Sequence, residues 1–254
     1  MKTIEMLEFR LLKEAGGILH GVTRRDRSRM LDFSLALHTG QAPEAVRTNR
    51  EELERFFGAG ARFVSVLQVH GDEIHTVECP ADHGWENFDP AIRADALLTD
   101  LPGVVLTILT ADCVPILLYD PVCRVIGAVH AGWKGSHLEI VGKTIRKMTE
   151  HYGSRPEEIL AAIGPAIGGC CYEVGPEVAE HFREIPGALF PAEGTRSRLD
   201  LKTVNRRQLL EAGVRSTHIE VSPVCTACEH EDFFSYRREG GCDGRFMSCI
   251  MIEG

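Results

Sequence analysis

Three side chains that can bind a metal ion stand at the ends of apolar, β-rich segments. His70 follows one such segment, Cys113 lies between two others, and His130 ends a further one. If each segment is a strand, its last residues reach one rim of a sheet, and we expect the three side chains to meet there. A neutral imidazole and a thiolate are good zinc ligands, and three protein ligands with one open position are typical of a catalytic zinc site. The residue types therefore indicate zinc-dependent chemistry.

Each of these residues also has a simpler interpretation. A histidine at a strand end is more often a hydrogen-bonded residue than a ligand, and a cysteine is by default a small buried apolar side chain. Asp112 beside Cys113 in an apolar run, and the glycines Gly71 and Gly132 shortly after the two histidines, favour a site, because glycine permits close approach of a ligand. The residues alone leave both interpretations open.

Cys225 and Cys228 form a second candidate, a Cys-x-x-Cys pair with His230 and Cys242 downstream. The pair has the form of half a zinc knuckle, but no second Cys-x-x-Cys pair follows at the spacing of a zinc ribbon. We therefore expect a structural or incidental role. The nine cysteines are an odd number in a chain large enough to fold without disulfides, so we expect reduced thiols that can act as ligands or nucleophiles.

The glycine-rich segment 164–169 precedes the adjacent pair Cys170 and Cys171. Because the segment lacks the glycine spacing of Walker or Rossmann motifs, we expect a tight turn beside the site. Adjacent cysteines rarely form a disulfide with each other, since the bond geometry would strain the backbone. We expect both of them to pack.

The elements that must position these residues are of mixed type. Segment 43–57 begins with proline and has apolar residues at helical spacing, which predicts an amphipathic helix. Apolar runs rich in β-branched residues predict strands, and Asp120 to Cys123 predicts a turn between two of them. Predicted strands cover 62–68, 94–99, 104–110, 114–119, 124–130, 159–163, 217–221 and 246–252, and further predicted helices cover 138–151, 175–184 and 201–212. Paired strands followed by separated helices favour an α/β fold with mixed sheets.

The composition is that of an ordinary globular protein. With 254 residues, 44% hydrophobic and 26% charged, the chain can bury one large core, and we expect a single domain over residues 1–254. A formal charge of −9 argues against unspecific binding to nucleic acid or anionic lipid. The most apolar stretch, 104–119, carries Asp112 and Pro115 and does not suit a membrane span. Since the N-terminus does not read as a signal peptide, we expect a cytoplasmic location.

Several motifs, taken in order, resemble the YfiH-type family, also called the laccase-domain or polyphenol-oxidase-like family. The resemblance covers about 21–245 and rests on the segments QVHG, ADALLTD, LTADCVPILLYD, AVHAGWKG, AAIGPAIGGCCYEVGPEV, LDL and FFSYRREGGCDGR. The ordered combination of QVHG, ADC and HAGW is highly specific. Two positions differ from the common family pattern: Lys134 replaces an arginine, which keeps the charge but loses bidentate anion binding, and Asp243 replaces a threonine.

The resemblance implies zinc ligands at His70, Cys113 and His130. It also implies mixed β-sheets packed between helices, as in the catalytic domain of cytotoxic necrotising factor toxins. The implied activity is phosphorolysis of purine nucleosides (adenosine, inosine, guanosine and methylthioadenosine) together with deamination of adenosine. The expected partners are therefore a small nucleoside and phosphate, with no nucleic acid and no membrane, in a monomer or dimer.

Within that mechanism Cys113, His130 and Asp112 are the expected catalytic residues, since zinc lowers the pKa of bound water from about 16 towards 7 and deamination needs a proton shuttle. Asp112 or Glu173 is the candidate for the shuttle. Phosphorolysis needs cationic groups that hold phosphate and support an oxocarbenium-like transition state. The expected substrate-binding residues are Arg50, Gln68, Lys134, Glu173 and Arg237, with Arg238 as the alternative to Arg237.

Other chemistries use the same residues differently. In a cysteine hydrolase acting on amides or peptidoglycan precursors, Cys113 is the nucleophile and His130 its base. Copper is less favoured than zinc, because a blue-copper site usually adds an axial methionine, and no histidine and methionine are grouped in that way. In a non-enzymatic, zinc-stabilised binding module, Cys225 and Cys228 would hold the metal.

Overall fold

The chain folds into two large β-sheets, one small sheet and six α-helices in a computed structural model that describes residues 4–79, 84–86 and 92–254. The described strands are β1 (Met6–Leu7), β2 (Ile18–Thr23), β3 (Arg62–Val64), β4 (Ile74–Thr76), β5 (Ala96–Thr99), β6 (Val104–Thr110), β7 (Val114–Asp120), β8 (Val125–Ala131), β9 (Leu160–Ile163), β10 (Glu173–Val174), β11 (Leu189–Pro191), β12 (Ser197–Leu199), β13 (Ile219–Val221) and β14 (Phe246–Ile252). The described helices are α1 (Arg10–Ala15), α2 (Pro43–Phe57), α3 (Trp133–His137), α4 (Ile140–Tyr152), α5 (Pro176–Ala179) and α6 (Leu201–Glu211), with single 3₁₀ turns at Met30–Phe33, Pro156–Glu158, Glu180–Phe182 and Ser216–His218.

Strands β6, β7 and β8 form the centre of the fold, and every residue in them is buried. Burial on both faces explains why these strands read as continuous apolar runs rather than as alternating ones. β7 and β8 pair antiparallel from Val114 opposite Ala131 to Asp120 opposite Val125. Asp120 begins the turn between them, because its Oδ1 accepts hydrogen bonds from the amides of Val122 and Cys123.

The two large sheets pack face to face. One has the order β1-β2-β14-β6-β3 and the other β13-β9-β7-β8-β5-β4, and both mix parallel with antiparallel pairs. Leu106 and Ile108 of β6 share a buried cluster with Leu117 of β7 and Ala128 of β8. The predicted α/β class with mixed sheets between helices is therefore confirmed.

Helices cover the outer face of each sheet. α4 and α6 pack on the six-stranded sheet, where Ile145 and Val204 meet Leu118 in one apolar cluster. α2 packs on the five-stranded sheet through Leu53 and Phe57. No helix in the described ranges combines the length and the apolar character that a membrane span requires.

The predicted elements differ from the observed ones mainly at their ends. The predicted helix 43–57 has those bounds, whereas the predicted strand 62–68 ends at Val64 and retains only a single bridge from Leu67 to Arg93. The predicted helix 138–151 starts at Ile140, because Glu139 has a left-handed φ of 60°. The predicted helix 175–184 is α5 followed by one 3₁₀ turn.

Candidate active site

The side chains of His70, Cys113 and His130 meet where the chain passes from one large sheet to the other. One potential ligand atom from each lies within 4.8 Å of the other two. Cys113 is in the three-residue link that carries the chain from β6 in one sheet to β7 in the other, and His130 is the penultimate residue of β8. The ring centroids of His70 and His130 are 4.8 Å apart and the rings are nearly perpendicular. The fold thus brings together the three residues singled out by type, with Cys113 and His130 at strand ends and His70 in the loop that follows β3.

Asp95, just before β5, contacts both histidines and is fully buried. Its Oδ1 lies 2.7 Å from Nδ1 of His130 and also accepts a hydrogen bond from the amide of His70 at 3.0 Å. Its Oδ2 accepts bonds from the amides of Val69 (3.2 Å) and Gly71 (2.7 Å). One carboxylate therefore fixes the ring of one histidine and the backbone of the other. A carboxylate on Nδ1 leaves Nε2 of His130 available as a metal ligand or as a base.

The link before Cys113 has a strained backbone that hydrogen bonds hold in place. Asp112 has a φ of 89°, an unusual value for a residue with a side chain. Its carboxylate accepts bonds from the hydroxyls of Thr226 (2.6 Å) and Ser235 (2.7 Å) and from the amide of Arg237 (2.7 Å). Because three donors already occupy this carboxylate, Asp112 positions the link and the neighbouring loops.

The electrostatics of Cys113 and His130 favour a charged pair. Burial alone would raise the pKa of the Cys113 thiol, but the charge of His130 and its hydrogen bond outweigh burial and lower the pKa to about 6. Burial alone would lower the pKa of His130, but the Cys113 thiolate and the hydrogen bond to Asp95 raise it to about 9. Both shifts favour the thiolate form of Cys113, which is the form that binds metals and attacks electrophiles.

The donor set fits a single metal ion. Gly132 provides the space: a Cβ atom there would lie 3.1 Å from both Sγ of Cys113 and Cδ2 of His70. Two imidazoles and one thiolate with a further open position match a catalytic zinc site. A blue-copper site would use an axial methionine, and no methionine lines the described part of the adjoining cavity.

A cavity of about 420 Å³ opens beside these three residues. This volume is in the range of pockets that enclose small organic ligands. The other described residues that line the cavity are His38, Gln68, Leu109, Thr110, Ala111, Asp112, Tyr172, Tyr236, Arg237 and Arg245. Aromatic faces and two guanidinium groups thus surround the three potential ligands.

The cationic groups of the cavity are held in place by backbone carbonyls and rings. Arg237 donates to the carbonyl of Glu173 at 2.7 Å, and its guanidinium lies 5.0 Å from the centre of the Tyr172 ring. Arg245 donates to the carbonyls of Cys242 and Gly244 at 2.7 and 2.8 Å. These bonds fix the orientation of both side chains.

His38 is a further polar group on the cavity wall. Burial, followed by the charges of Arg245 and Arg50, lowers its pKa to about 4. The imidazole is therefore neutral at physiological pH, and can donate one hydrogen bond and accept another.

Of the substrate-binding residues predicted from the sequence, Gln68 and Arg237 line the cavity. The side-chain amide of Gln68 makes two hydrogen bonds with the backbone of Leu109, each of 2.8 Å. Its Nε2 donates to the carbonyl, and its Oε1 accepts from the backbone N–H. Its side chain therefore joins the segment before His70 to β6.

Three other predicted residues lie outside the cavity lining. The buried guanidinium of Arg50 donates to the carbonyls of Leu35, Gly84 and Trp85, so its bonds are made to the fold. Lys134 is exposed on α3 and stacks over Trp133. The carboxylate of Glu173 pairs with Arg196 at 3.6 Å. The three residues thus lie outside the described lining of this cavity, and their roles in substrate binding or proton transfer stay predictions.

Asp95, His38, Tyr172 and Arg245 were not predicted as site residues. Asp95 had a detectable signal, an acidic residue directly before an apolar strand, in the same pattern as Asp112 before Cys113. His38 and Tyr172 stand in loops far along the chain from the three potential ligands, and no local pattern connects them to the site.

A second cleft, of about 520 Å³, lies near the 3₁₀ turn at Met30–Phe33. Its arginines have acidic partners: Arg25 pairs with Asp32 and Glu239, and Arg29 with Asp26. This cleft is larger than the first but lacks a comparable group of potential ligands among the described residues, so the chemistry is assigned to the smaller cavity.

Comparisons with known proteins agree with this geometry. The chain is 37% identical to the purine nucleoside phosphorylase YlmD of Geobacillus stearothermophilus over 246 residues, covering 92% of this chain and 90% of that protein. It is 43% identical to a purine nucleoside phosphorylase of Deinococcus radiodurans, covering 82% and 78%. The crystal structure of the hypothetical protein YfiH of Bacillus licheniformis superimposes with a TM-score of 0.91 at 35% identity, covering 99% and 97%.

The family model described as multi-copper polyphenol oxidoreductase laccase matches residues 20–253, which is nearly the whole chain. The sequence, the sheets and the relatives all agree with this match. The chain belongs to this laccase-like YfiH family, several of whose members are named purine nucleoside phosphorylases.

Proposed function

We propose that the protein is a zinc-dependent purine nucleoside phosphorylase that also deaminates adenosine. The observation that carries the proposal is the group of His70, Cys113 and His130, with their ligand atoms within 4.8 Å, on the wall of a 420 Å³ cavity that also contains two arginines. A metal position and an anion position side by side suit a reaction between a nucleoside and phosphate. The names of the relatives support the same reaction class and favour it over a non-enzymatic binding module.

In the proposed site, His70, Cys113 and His130 hold the zinc ion. Zinc in this position supplies Lewis acidity and, by lowering the pKa of water, a nucleophile at neutral pH. Asp95 accepts a hydrogen bond from Nδ1 of His130 and so keeps Nε2 directed at the metal position. Its bonds to the amides of His70 and Gly71 hold the first histidine in the same geometry.

The substrate contacts follow from the cavity lining. Tyr172 and Tyr236 offer aromatic faces on which a purine base can stack. Arg237 and Arg245 present guanidinium groups that suit a phosphate oxygen pair, and their existing bonds to carbonyls reduce the entropy lost when the anion binds. In the neutral form, His38 can bond to a polar edge of the base or to a ribose hydroxyl. The proposed substrates are adenosine, inosine, guanosine and methylthioadenosine, each with phosphate.

Phosphate dependence separates the two proposed reactions. Inosine should give hypoxanthine only when phosphate is supplied, because phosphate is a reactant in the cleavage. Adenosine should also give inosine in phosphate-free buffer, because deamination consumes only water. Chromatography of both reactions, with and without phosphate, measures this directly. Equal cleavage of inosine without phosphate would instead identify a nucleoside hydrolase.

A second candidate function is a cysteine hydrolase, and one specific observation favours it. The Cys113 thiolate, His130 and Asp95 form a nucleophile, base and orienting carboxylate in a continuous series of contacts. Such an enzyme has no need of His70 beside the thiolate, whereas a zinc site does. Activity that survives thorough chelation and is lost on alkylation would identify the hydrolase.

A further inference from the structure

A second group of potential metal ligands lies apart from the candidate active site. The sulfur atoms of Cys170, Cys171, Cys225 and Cys228 all lie within 4.8 Å of one another. The Cys225/Cys228 pair has the form of half a zinc knuckle, and the fold supplies two more thiols from more than fifty residues upstream. Cys170 is exposed, which differs from the expectation that both adjacent cysteines pack.

The distances between the sulfur atoms fit one tetrahedral ion. Sγ of Cys228 is 3.4 Å from Sγ of Cys171 and 3.7 Å from Sγ of Cys170. Four thiolates that bind zinc at about 2.3 Å are separated from one another by about 3.8 Å. A disulfide would require about 2.05 Å, and all four cysteines are free.

Local turns orient the four thiols toward one point. The amides of Cys228 and Glu229 both donate to the carbonyl of Cys225, which closes the Cys-x-x-Cys turn. The amides of Cys171 and Tyr172 donate to the carbonyl of Gly168 and close a second turn. The amide of Gly168 also donates a hydrogen bond to Sγ of Cys225 at 3.2 Å. A hydrogen bond from an amide to a sulfur atom stabilises its thiolate form.

Packing alone does not account for the group. Free cysteines that serve as small apolar side chains are typically buried, but Cys170 and Cys228 are exposed. The apolar cluster around Cys225 is small, with Ile167 and Ala227 as its other buried members. Two exposed thiols converging on two less exposed ones are the pattern of a closed metal site at the surface.

We propose that Cys170, Cys171, Cys225 and Cys228 bind a second, structural zinc ion through four thiolates. Binding breaks S–H bonds and forms Zn–S bonds, and the protons are released to solvent. All four positions are filled by protein, so this ion has no open position for a substrate.

The second site stands directly behind the wall of the cavity. Thr226, inside the Cys-x-x-Cys turn, bonds through its hydroxyl to Asp112, the neighbour of Cys113. Tyr172, which follows Cys171, lines the cavity. Zinc at the four cysteines would therefore fix the loop that carries Asp112 and the ring of Tyr172.

Metal stoichiometry tests the proposal without reference to activity. Protein purified in the absence of oxygen should contain two zinc ions per chain by native mass spectrometry. Cys228→Ser and His70→Ala should each contain one, because each removes a ligand from a different site. Cys79→Ser, which changes another exposed thiol, should retain two. One zinc per chain that is lost in His70→Ala and retained in Cys228→Ser would overturn the proposal, as would a Cys171–Cys228 disulfide in the same preparation.

Cadmium binding decides the question if Cys228→Ser does not fold. Metal-free His70→Ala protein still has the four cysteines and should take up one Cd²⁺ with the ultraviolet charge-transfer absorption of four thiolates. Absorption no greater than that of a single thiolate would contradict the second site. The two tests separate this proposal from the enzymatic one, because each site is removed by its own variant.

Discussion

A single buried carboxylate organises both histidines of the candidate active site. Asp95 accepts four contacts, one from the ring of His130 and three from the backbone at Val69, His70 and Gly71. Burial by itself would raise the pKa of this carboxyl, but the hydrogen bond and the charge of His130 outweigh burial and lower it. Asp95 is therefore an anion in the folded protein, and its charge strengthens each of these bonds.

Replacing Asp95 by asparagine should weaken zinc binding without unfolding the protein. Asparagine keeps the shape but has one acceptor oxygen instead of two and no charge, so the two histidines lose part of their orientation. We expect zinc affinity to fall about 10- to 100-fold, which is typical when a partner of a ligand histidine is changed. Competition with a chelator measures the affinity. Asp72→Asn, which changes a half-buried carboxylate paired with Lys143, is the matched control and should keep the affinity of the native protein.

Much of the candidate site could be predicted from residue types, but its supporting residues could not. His70, Cys113 and His130 were detectable because each stands at the end of an apolar run, and the fold does bring them together. The surroundings of Arg50 could not be predicted, because a buried guanidinium that donates to three backbone carbonyls looks the same in the sequence as one that binds phosphate. The position of Tyr172 in the cavity depends on the conformation of a loop, which no periodic pattern in the sequence predicts.

At the scale of elements, the sharp start of α3 creates the space for the metal. Gly132 is the N-cap of α3, directly after β8, and its φ of −72° is accessible to any residue. Glycine is therefore not required here by the backbone. Glycine is required because a Cβ atom at this position would lie only 3.1 Å from the side chains of Cys113 and His70.

Gly132→Ala should consequently affect the metal more than the fold. The added methyl group must displace a ligand by a few tenths of an ångström, and we expect zinc affinity to fall by roughly tenfold, which corresponds to about 1.4 kcal/mol. The midpoint of thermal unfolding of the metal-free protein should change little. Gly142→Ala in α4, where a Cβ would meet only Arg146 at 3.7 Å, is the matched control. Equal zinc affinity in both variants would show that Gly132 has no role in the site.

The longest elements could be predicted, whereas several others, among them β1, β2, β4, β10 and α1, could not. α2 and the strands β6 to β8 carry enough residues for their periodicity or continuous apolarity to be recognised. β10 and β1 have only two residues each and exist because a neighbouring strand pairs with them. Tertiary pairing of this kind leaves no signal in the local sequence.

At the scale of the whole molecule, the segment at the start of α1 links the two large sheets. The carboxylate of Glu220 in β13, in the six-stranded sheet, accepts hydrogen bonds from the backbone amides of Arg10 and Leu11 at the start of α1. The amide of Phe9 donates to Nε2 of His20 in β2, in the five-stranded sheet, at 2.9 Å. This bond requires Nε2 of His20 to be unprotonated.

His20 should therefore make stability fall on acidification. Burial lowers the pKa of His20 below its usual 6.5, so below about pH 6.5 the unfolded chain binds a proton that the folded protein does not. The stabilisation is complete above pH 6.5 and is lost as the pH falls toward the folded-state pKa, by at most about 1.4 kcal/mol per pH unit for one proton.

Urea unfolding of the native protein and of His20→Gln between pH 7 and pH 5 measures this contribution. The variant should be less stable at pH 7 but should have a shallower dependence on pH. His151→Gln, which changes an exposed histidine of α4, should keep the slope of the native protein. If the free energy of unfolding depends on pH with the same slope in His20→Gln and in the native protein, His20 does not cause the loss of stability on acidification.

The most direct test of the proposed enzyme combines metal content and inosine cleavage in one variant, Cys113→Ser. A serine hydroxyl is a much weaker acid than a thiol and binds zinc poorly at neutral pH, while the exchange should cost the fold only about 1–3 kcal/mol. We expect the variant to fold, to contain one zinc ion fewer per chain than the native protein, and to lose phosphate-dependent cleavage of inosine. A folded Cys113→Ser protein with its full zinc content and no activity would contradict the account and identify Cys113 as a nucleophile.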